Sequence, residues 1–255
     1  MSVSLETEFA FDVQGYLHIR GAMTDDEVKE YTFWTDELEE TDVAELNLNN
    51  PGWDKEQMNH PVSRIFDADP RFCRFLDHPS VEPFLSEFLG QDYRHIDNDL
   101  LYTYPGYKGG VWHRGIRPHP TGHWVDSKCV CPMIKVFYCT TDVGPDEGGF
   151  TIIPGSHKAL FSIDEEGREE IPAQQFVFDG VTAWDIVLFN EALIHMGSPN
   201  PSKKTRKTII VNFGRRDAGI WTCYTPNSET LAAATPRQRE ILSNEVPLWD
   251  EPVLV

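Results

Sequence analysis

Two of the nine histidines, His113 and His195, sit where a strand pattern gives way to a loop. Trp112-His113-Arg114-Gly115-Ile116-Arg117 follows the Gly-rich stretch Pro105 to Gly110, and Glu191-Ala192-Leu193-Ile194-His195 follows the apolar run Trp184 to Phe189. Two neutral imidazoles on opposing strands make half of a transition-metal site. Arg206 lies eleven residues beyond His195, and Gly197-Ser198-Pro199-Asn200-Pro201 between them reads as a turn. The chain can therefore reverse and bring Arg206 back beside the strand end that carries His195. A guanidinium placed there clamps a carboxylate bidentately. Two histidines, an open face for a keto-acid and a cation for its distal carboxylate are the parts of an iron site that uses 2-oxoglutarate.

Five of the remaining histidines read as structural. His18, His60, His78 and His95 have no companion ligand nearby, and His157 belongs to the turn Pro154-Gly155-Ser156-His157, where it bonds the turn or faces solvent. Cys129 and Cys131 form C-x-C without a second pair, which favours buried thiols over zinc. Five cysteines, odd in number and sparse, argue against a disulfide framework.

Elements able to hold such a site follow from the patterning. Thr24-Asp25-Asp26-Glu27 is a capping box, followed by Val28, Tyr31, Trp34 and Leu38 at helical spacing. Ser80 precedes a second helical pattern, Val81, Phe84, Leu85, Phe88 and Leu89, which Gly90 stops. The grammar then changes to strands: Tyr93 to Tyr104, Met133 to Thr141, Phe150 to Ile153, Gln175 to Phe178, Trp184 to Phe189 and Thr205 to Phe213. The expectation is a single α+β domain, with residues 1–92 mostly helical, 93–217 holding the core strands of a β sandwich or barrel, and 218–255 a C-terminal segment.

Composition bounds the partners. Lys plus Arg minus Asp plus Glu gives 22 − 41 = −19, with 40% hydrophobic residues, so the chain can bury a core and is not disordered. A field this negative repels nucleic acid and anionic membranes, leaving anionic ligands to local basic clusters such as Lys203 to Lys207 and Arg215 with Arg216. The apolar runs are strand-sized, far short of the roughly 20 residues of a membrane span. Met1 to Asp12 lacks the pattern of a secretory signal, so a cytoplasmic location is expected.

The chain resembles the phytanoyl-CoA dioxygenase family of Fe(II)/2-oxoglutarate enzymes. The residues that carry the resemblance are Phe11-Asp12-Val13-Gln14-Gly15-Tyr16-Leu17, Asp142-Val143-Gly144-Pro145-Asp146-Glu147-Gly148-Gly149-Phe150, Ile153-Pro154-Gly155-Ser156-His157-Lys158, and His195 with Arg206. It implies a double-stranded β-helix (jelly roll) core with an N-terminal helical layer, iron on His113 and His195, and 2-oxoglutarate paired to Arg206. Enzymes of this kind convert 2-oxoglutarate and O2 to succinate and CO2 while oxidising a substrate C–H bond.

One departure stands out. The family's usual motif is His-x-Asp, whereas the chain has His113-Arg114-Gly115. Residues two apart on a strand face the same side, so an aspartate at 115 would project toward the metal, and glycine projects nothing. This pattern is similar to that of the related halogenases, in which chloride takes the open iron position, and it favours radical halogenation. Two alternatives stand beside it. A displaced carboxylate, from Asp126, Asp142, Glu147 or Glu191, would restore a hydroxylase; a site that binds metal poorly would leave a small-molecule binding protein. Arg114, Arg117, His119 and His123 crowd the loop after the first histidine, suggesting a polar or anionic small-molecule substrate. Trp221, with Trp112, Trp124 and Trp184, is a candidate wall of the pocket.

Overall fold

A computed structural model describes residues 3–41, 58–116, 123–125, 128–143, 147–159, 176–178, 180–217 and 224–243. Helix α1 (Leu5–Gln14) and helix α2 (Asp25–Glu40) open the chain, separated by strand β1 (Tyr16–Ile19). The capping box forms as expected: the Thr24 hydroxyl accepts from the Glu27 amide and the Glu27 carboxylate accepts from the Thr24 amide. Tyr31, Trp34, Thr35 and Leu38 make the buried face of α2. Strand β2 (Asn59–Ser63), the single turn α3 (Ile65–Ala68) and a 3-10 segment, Pro70–Phe75, lead to α4 (Glu82–Leu89), which Gly90 ends.

The strands that follow are β3 (Arg94–Thr103), β4 (His123–Val125), β5 (Lys128–Val130), β6 (Met133–Cys139), β7 (Phe150–Ile152), β8 (Phe176–Val177), β9 (Ile186–Asn190), β10 (His195–Gly197) and β11 (Arg206–Gly214). Two short helices, α5 (Ser228–Ala233) and α6 (Pro236–Leu242), complete the described chain. Among the described residues a six-stranded antiparallel sheet runs β1-β9-β6-β11-β3-β2, and a three-stranded sheet runs β10-β7-β8. His113 bridges to His195, which places the 113 segment at the outer side of β10. The chain passes back and forth between the two sheets, giving the jelly roll that the sequence implies.

The N-terminal part is less purely helical than expected, because β1 and β2 supply the two edges of the large sheet. The strand expected from Trp184 begins at Ile186 instead: the Asp185 carboxylate accepts from the Thr182 and Gly21 amides and closes a turn there. Alternation on the large sheet divides the core. Leu100, Tyr102, Val136, Tyr138, Ile209 and Val211 face the helices, where Tyr102 and Tyr138 donate their hydroxyls to the carbonyls of Thr35 and Phe75. Phe137, Cys139, Val187 and Phe189 face the small sheet and meet Phe150 and Phe178 there. No helix among the described residues is long and apolar enough to cross a membrane.

Candidate active site

His113 and His195 exchange both backbone hydrogen bonds, 3.0 and 2.9 Å, the arrangement of a directly opposed antiparallel pair. Their side chains therefore leave one face together, with ring centroids 4.2 Å apart. In each ring Nδ1 lies against the backbone carbonyl two residues earlier, Val111 at 2.9 Å and Leu193 at 2.8 Å. A carbonyl only accepts, so each Nδ1 carries the proton and each Nε2 keeps a lone pair for a metal. Burial holds the His195 pKa well below its ordinary value, reinforced by His113 and Lys135, so this imidazole is neutral and fit to ligate.

The turn Pro154-Gly155-Ser156-His157 positions this pair. Ser156 Oγ accepts from the Ile194 amide at 2.8 Å, and the Ile153 amide donates to the Ile194 carbonyl, fixing the residue next to His195. On its other side the turn grips the N-terminus: the Gly155 amide donates to the Gln14 carbonyl, and buried His157 hydrogen-bonds the Asp12 carbonyl. Gly15 must be glycine there, since φ is +83° and a Cβ would stand 2.5 Å from His157 Nδ1.

Arg206 opens β11 and is buried. Its Nη1 donates to the Gly149 carbonyl at 2.7 Å and its Nη2 to Thr103 Oγ1 at 2.9 Å, while Nε has no partner. Gly149 packs against the next strand without a side chain, where a Cβ would lie 2.5 Å from the Phe178 carbonyl. Burial lowers the Arg206 pKa to about 10, and its electrostatic neighbours, Cys139 and Tyr107, are themselves raised and neutral at pH 7. Arg206 is thus a buried cation whose described neighbours provide no counter-anion, a demand that a ligand carboxylate meets. A cavity of about 250 Å³ between the sheets is lined by His113, His195 and Arg206 together with Tyr107, Lys135 and Phe137.

The other expected residues divide. Gly115 lies beside Glu191, whose carbonyl accepts from the amides of Gly115 and Ile116. Among the described residues no group of three or more His, Cys, Asp or Glu side chains is placed to hold a metal, so no carboxylate joins the two histidines. Of the alternatives, Asp142 accepts from the Ala183 amide, Glu147 pairs with Lys204 at 2.9 Å, and buried Glu191 pairs with Lys135 at 2.6 Å. Asp126 lies outside the described residues.

Arg114 alternates away from His113 and donates to the Ala159 carbonyl, so it does not line the cavity. Trp184 donates to Asp25 outside the cavity, and Trp112 packs with Ile153 and Ile194. Arg117, His119 and Trp221, and the side chains of His123 and Trp124, lie outside the described residues. Arg206 apart, the basic clusters pair with neighbouring carboxylates: Lys207 with Asp36 and Glu39, and Arg215 with Asp217. Missing from the sequence reading are Lys135, Asp97 and Asp99, while Glu191 was read as a candidate iron ligand and is found on Lys135. The alternation of Asp97, Asp99 and Leu101 along one strand was the available signal for two of them.

A family model described as phytanoyl-CoA dioxygenase (PhyH) matches residues 11–208. Among solved structures, HygX from Streptomyces hygroscopicus with nickel and 2-oxoglutarate bound superposes with a TM-score of 0.68 at 21% identity, covering 84% of this chain and 88% of its own. The non-heme alpha ketoglutarate dependent carbocyclase SnoK from nogalamycin biosynthesis gives 0.66 at 21% identity, covering 92% of each chain. EctD from S. alaskensis with 2-oxoglutarate and 5-hydroxyectoine gives 0.66 at 18% identity, covering 90% and 83%. At these identities the likeness speaks for the fold. Dioxygenase lolE1 of Epichloe uncinata is 24% identical over 132 residues, 51% of this chain and 49% of its own. The matched stretch thus spans about half of that curated relative.

Proposed function

The chain belongs to the phytanoyl-CoA dioxygenase family of non-haem Fe(II)/2-oxoglutarate oxygenases, and from that premise we propose that it halogenates an unactivated C–H bond of a small molecule. The observation that carries halogenation is Gly115, with no described carboxylate beside the two histidines to replace the missing ligand. An iron with two protein nitrogens has room for an anion from solution, and chloride fits it.

The residues present suit the group they would hold. His113 and His195 would offer Nε2 to Fe(II), with each Nδ1–H tied to a backbone carbonyl that fixes the ring. Arg206 would pair with the distal carboxylate of 2-oxoglutarate, for which its free Nε and lack of a counter-anion leave a place. Bound Fe(II), 2-oxoglutarate and O2 supply the oxidising chemistry, with succinate and CO2 released. Phe137, Phe150 and Val187 make an apolar wall that excludes water around it. HygX has been solved with nickel, 2-oxoglutarate and hygromycin B bound, and a small-molecule substrate is the corresponding reading for this chain.

Hydroxylation is the second reading, and Glu191 is what favours it. Its backbone lies against Gly115, and neither carboxylate oxygen has a hydrogen-bond partner apart from the Lys135 ion pair. A swing of that carboxylate away from Lys135 would supply the third ligand. The test is the anaerobic absorption band of the protein with Fe(II) and 2-oxoglutarate, with and without chloride, in wild type, Gly115→Asp and Glu191→Gln. Halogenation requires a band that needs both components and shifts with chloride in wild type, and no chloride shift in Gly115→Asp, where a new carboxylate repels a second anion. A wild-type band blind to chloride and altered in Glu191→Gln would assign the hydroxylase instead. No band at all would sink both.

A further inference from the structure

The face of the large sheet that looks into the cavity becomes acidic as it passes from Arg206 toward the histidines. On β3 the residues facing the cavity side are Thr103, which binds Arg206, then Leu101, Asp99 and Asp97. Strand register extends this face sideways: Asp97 stands opposite Asn212, Asn212 opposite Lys135, and Lys135 opposite Phe189. The Phe189 ring lies 4.9 Å from that of His195, so this row of side chains reaches the histidine pair. One row nearer Arg206, Asp99 stands between Ser63, whose hydroxyl it accepts, and the cavity residue Ile210.

Charge along this row does not balance. Among the described residues Lys135 is the one cation whose field reaches Asp97, Asp99 and Glu191, and it is already in contact with Glu191 at 2.6 Å. Three carboxyl groups thus share one ammonium, and the row is short of positive charge. Asp97 and Asp99 are only partly buried and lie on the sheet face that carries the cavity residues Leu101 and Ile210. A second observation points the same way: Asn212 is 2% exposed and its carboxamide oxygen has no hydrogen-bond partner. The position between Asp97 and Lys135 thus holds an acceptor that lacks a donor. Burial raises both aspartates, and the Asp97 charge raises Asp99 further, to about 7, a strain that an incoming cation relieves.

We propose that Asp97 and Asp99, with the Asn212 carboxamide oxygen, bind an ammonium or guanidinium group of the substrate. The substrate is therefore a cationic small molecule, where the basic residues at 114–123 suggested a polar or anionic one. The inference rests on the reading of the cavity as an oxygenase site, since the bound cation would hold the rest of the molecule beside His113 and His195.

The test is calorimetric titration of 1,4-diaminobutane and of its neutral counterpart 1,4-butanediol into the whole protein under anaerobic conditions, with and without Fe(II) and 2-oxoglutarate. Diamine should bind and diol should not. Asp97→Asn and Asp99→Asn should each weaken the diamine about tenfold or more, the scale of losing one charge-assisted partner, while the Fe(II)/2-oxoglutarate band persists. Equal binding of diol and diamine, absence of diamine binding, or diamine affinity unchanged in both variants would each overturn the proposal. The diol comparison needs no variant, so a poorly folding substitution does not weaken the test. Diamine binding without an Fe(II)/2-oxoglutarate band would instead remove the oxygenase reading and keep the cation site.

Discussion

The identical hydrogen bonding of His113 and His195 separates two jobs that a single substitution can tell apart. Each ring is fixed by its own backbone and presents Nε2, so His113→Ala or His195→Ala removes half of the available protein ligands, and stoichiometric Fe(II) binding should be lost. Arg206 does not share that backbone device. It is held by Gly149 and Thr103, and Arg206→Ala should leave Fe(II) bound while weakening 2-oxoglutarate by about 3–5 kcal/mol, the scale of breaking a buried ion pair. Equilibrium titration of 2-oxoglutarate against the absorption band reads this directly, and an unchanged affinity would take Arg206 out of the site.

At the scale of elements, the two histidines and the arginine are positioned by segments far away in sequence, and legibility follows from that. The capping box Thr24 to Glu27, the β-rich runs of β3 and β11 and the turn at 154–157 are local patterns, and each was readable. Trp184 was misplaced because a strand start depends on what Asp185 bonds, and its partners Gly21 and His18 are more than 160 residues away. The cluster of Asp97, Asp99, Lys135 and Glu191 was invisible for the same reason: four strands must come into register before these charges meet. The role of Ser156 was equally hidden, since nothing near it in sequence announces Ile194. Ser156→Ala leaves the buried Ile194 amide without an acceptor, at a cost of about 1–3 kcal/mol. A lower urea midpoint together with weaker Fe(II) binding is expected, because the released residue adjoins His195. A variant as stable as wild type would show that the turn does not hold β10.

For the whole molecule, buried titrating groups set opposing dependences of stability on pH. His95 is buried, and its Nε2 meets the Asn98 amide nitrogen, whose own carboxamide oxygen is committed to the Phe66 amide. The imidazole must accept and stay neutral, and burial lowers its pKa to about 3; His78 and His157 are lowered for the same reason. Below pH 6.5 the unfolded chain takes up protons that the folded chain refuses. The stability these histidines provide is therefore complete above 6.5 and is lost as pH falls toward the folded values. Asp99 has the reverse sign. Its folded pKa near 7 exceeds the ordinary 3.8, so between those values the folded state binds the extra proton, and stability declines as pH rises through that window. Two substitutions should thus diverge in urea unfolding between pH 4 and 7. Asp99→Asn should gain on wild type as pH rises. His95→Gln should be destabilised most at pH 7, and its deficit should shrink on acidification by up to about 1.4 kcal/mol per pH unit, the free energy of one proton. Parallel pH profiles for wild type and both variants would mean that neither group titrates out of step with the unfolded chain, and the acidic row on the sheet would then carry less uncompensated charge than its geometry implies.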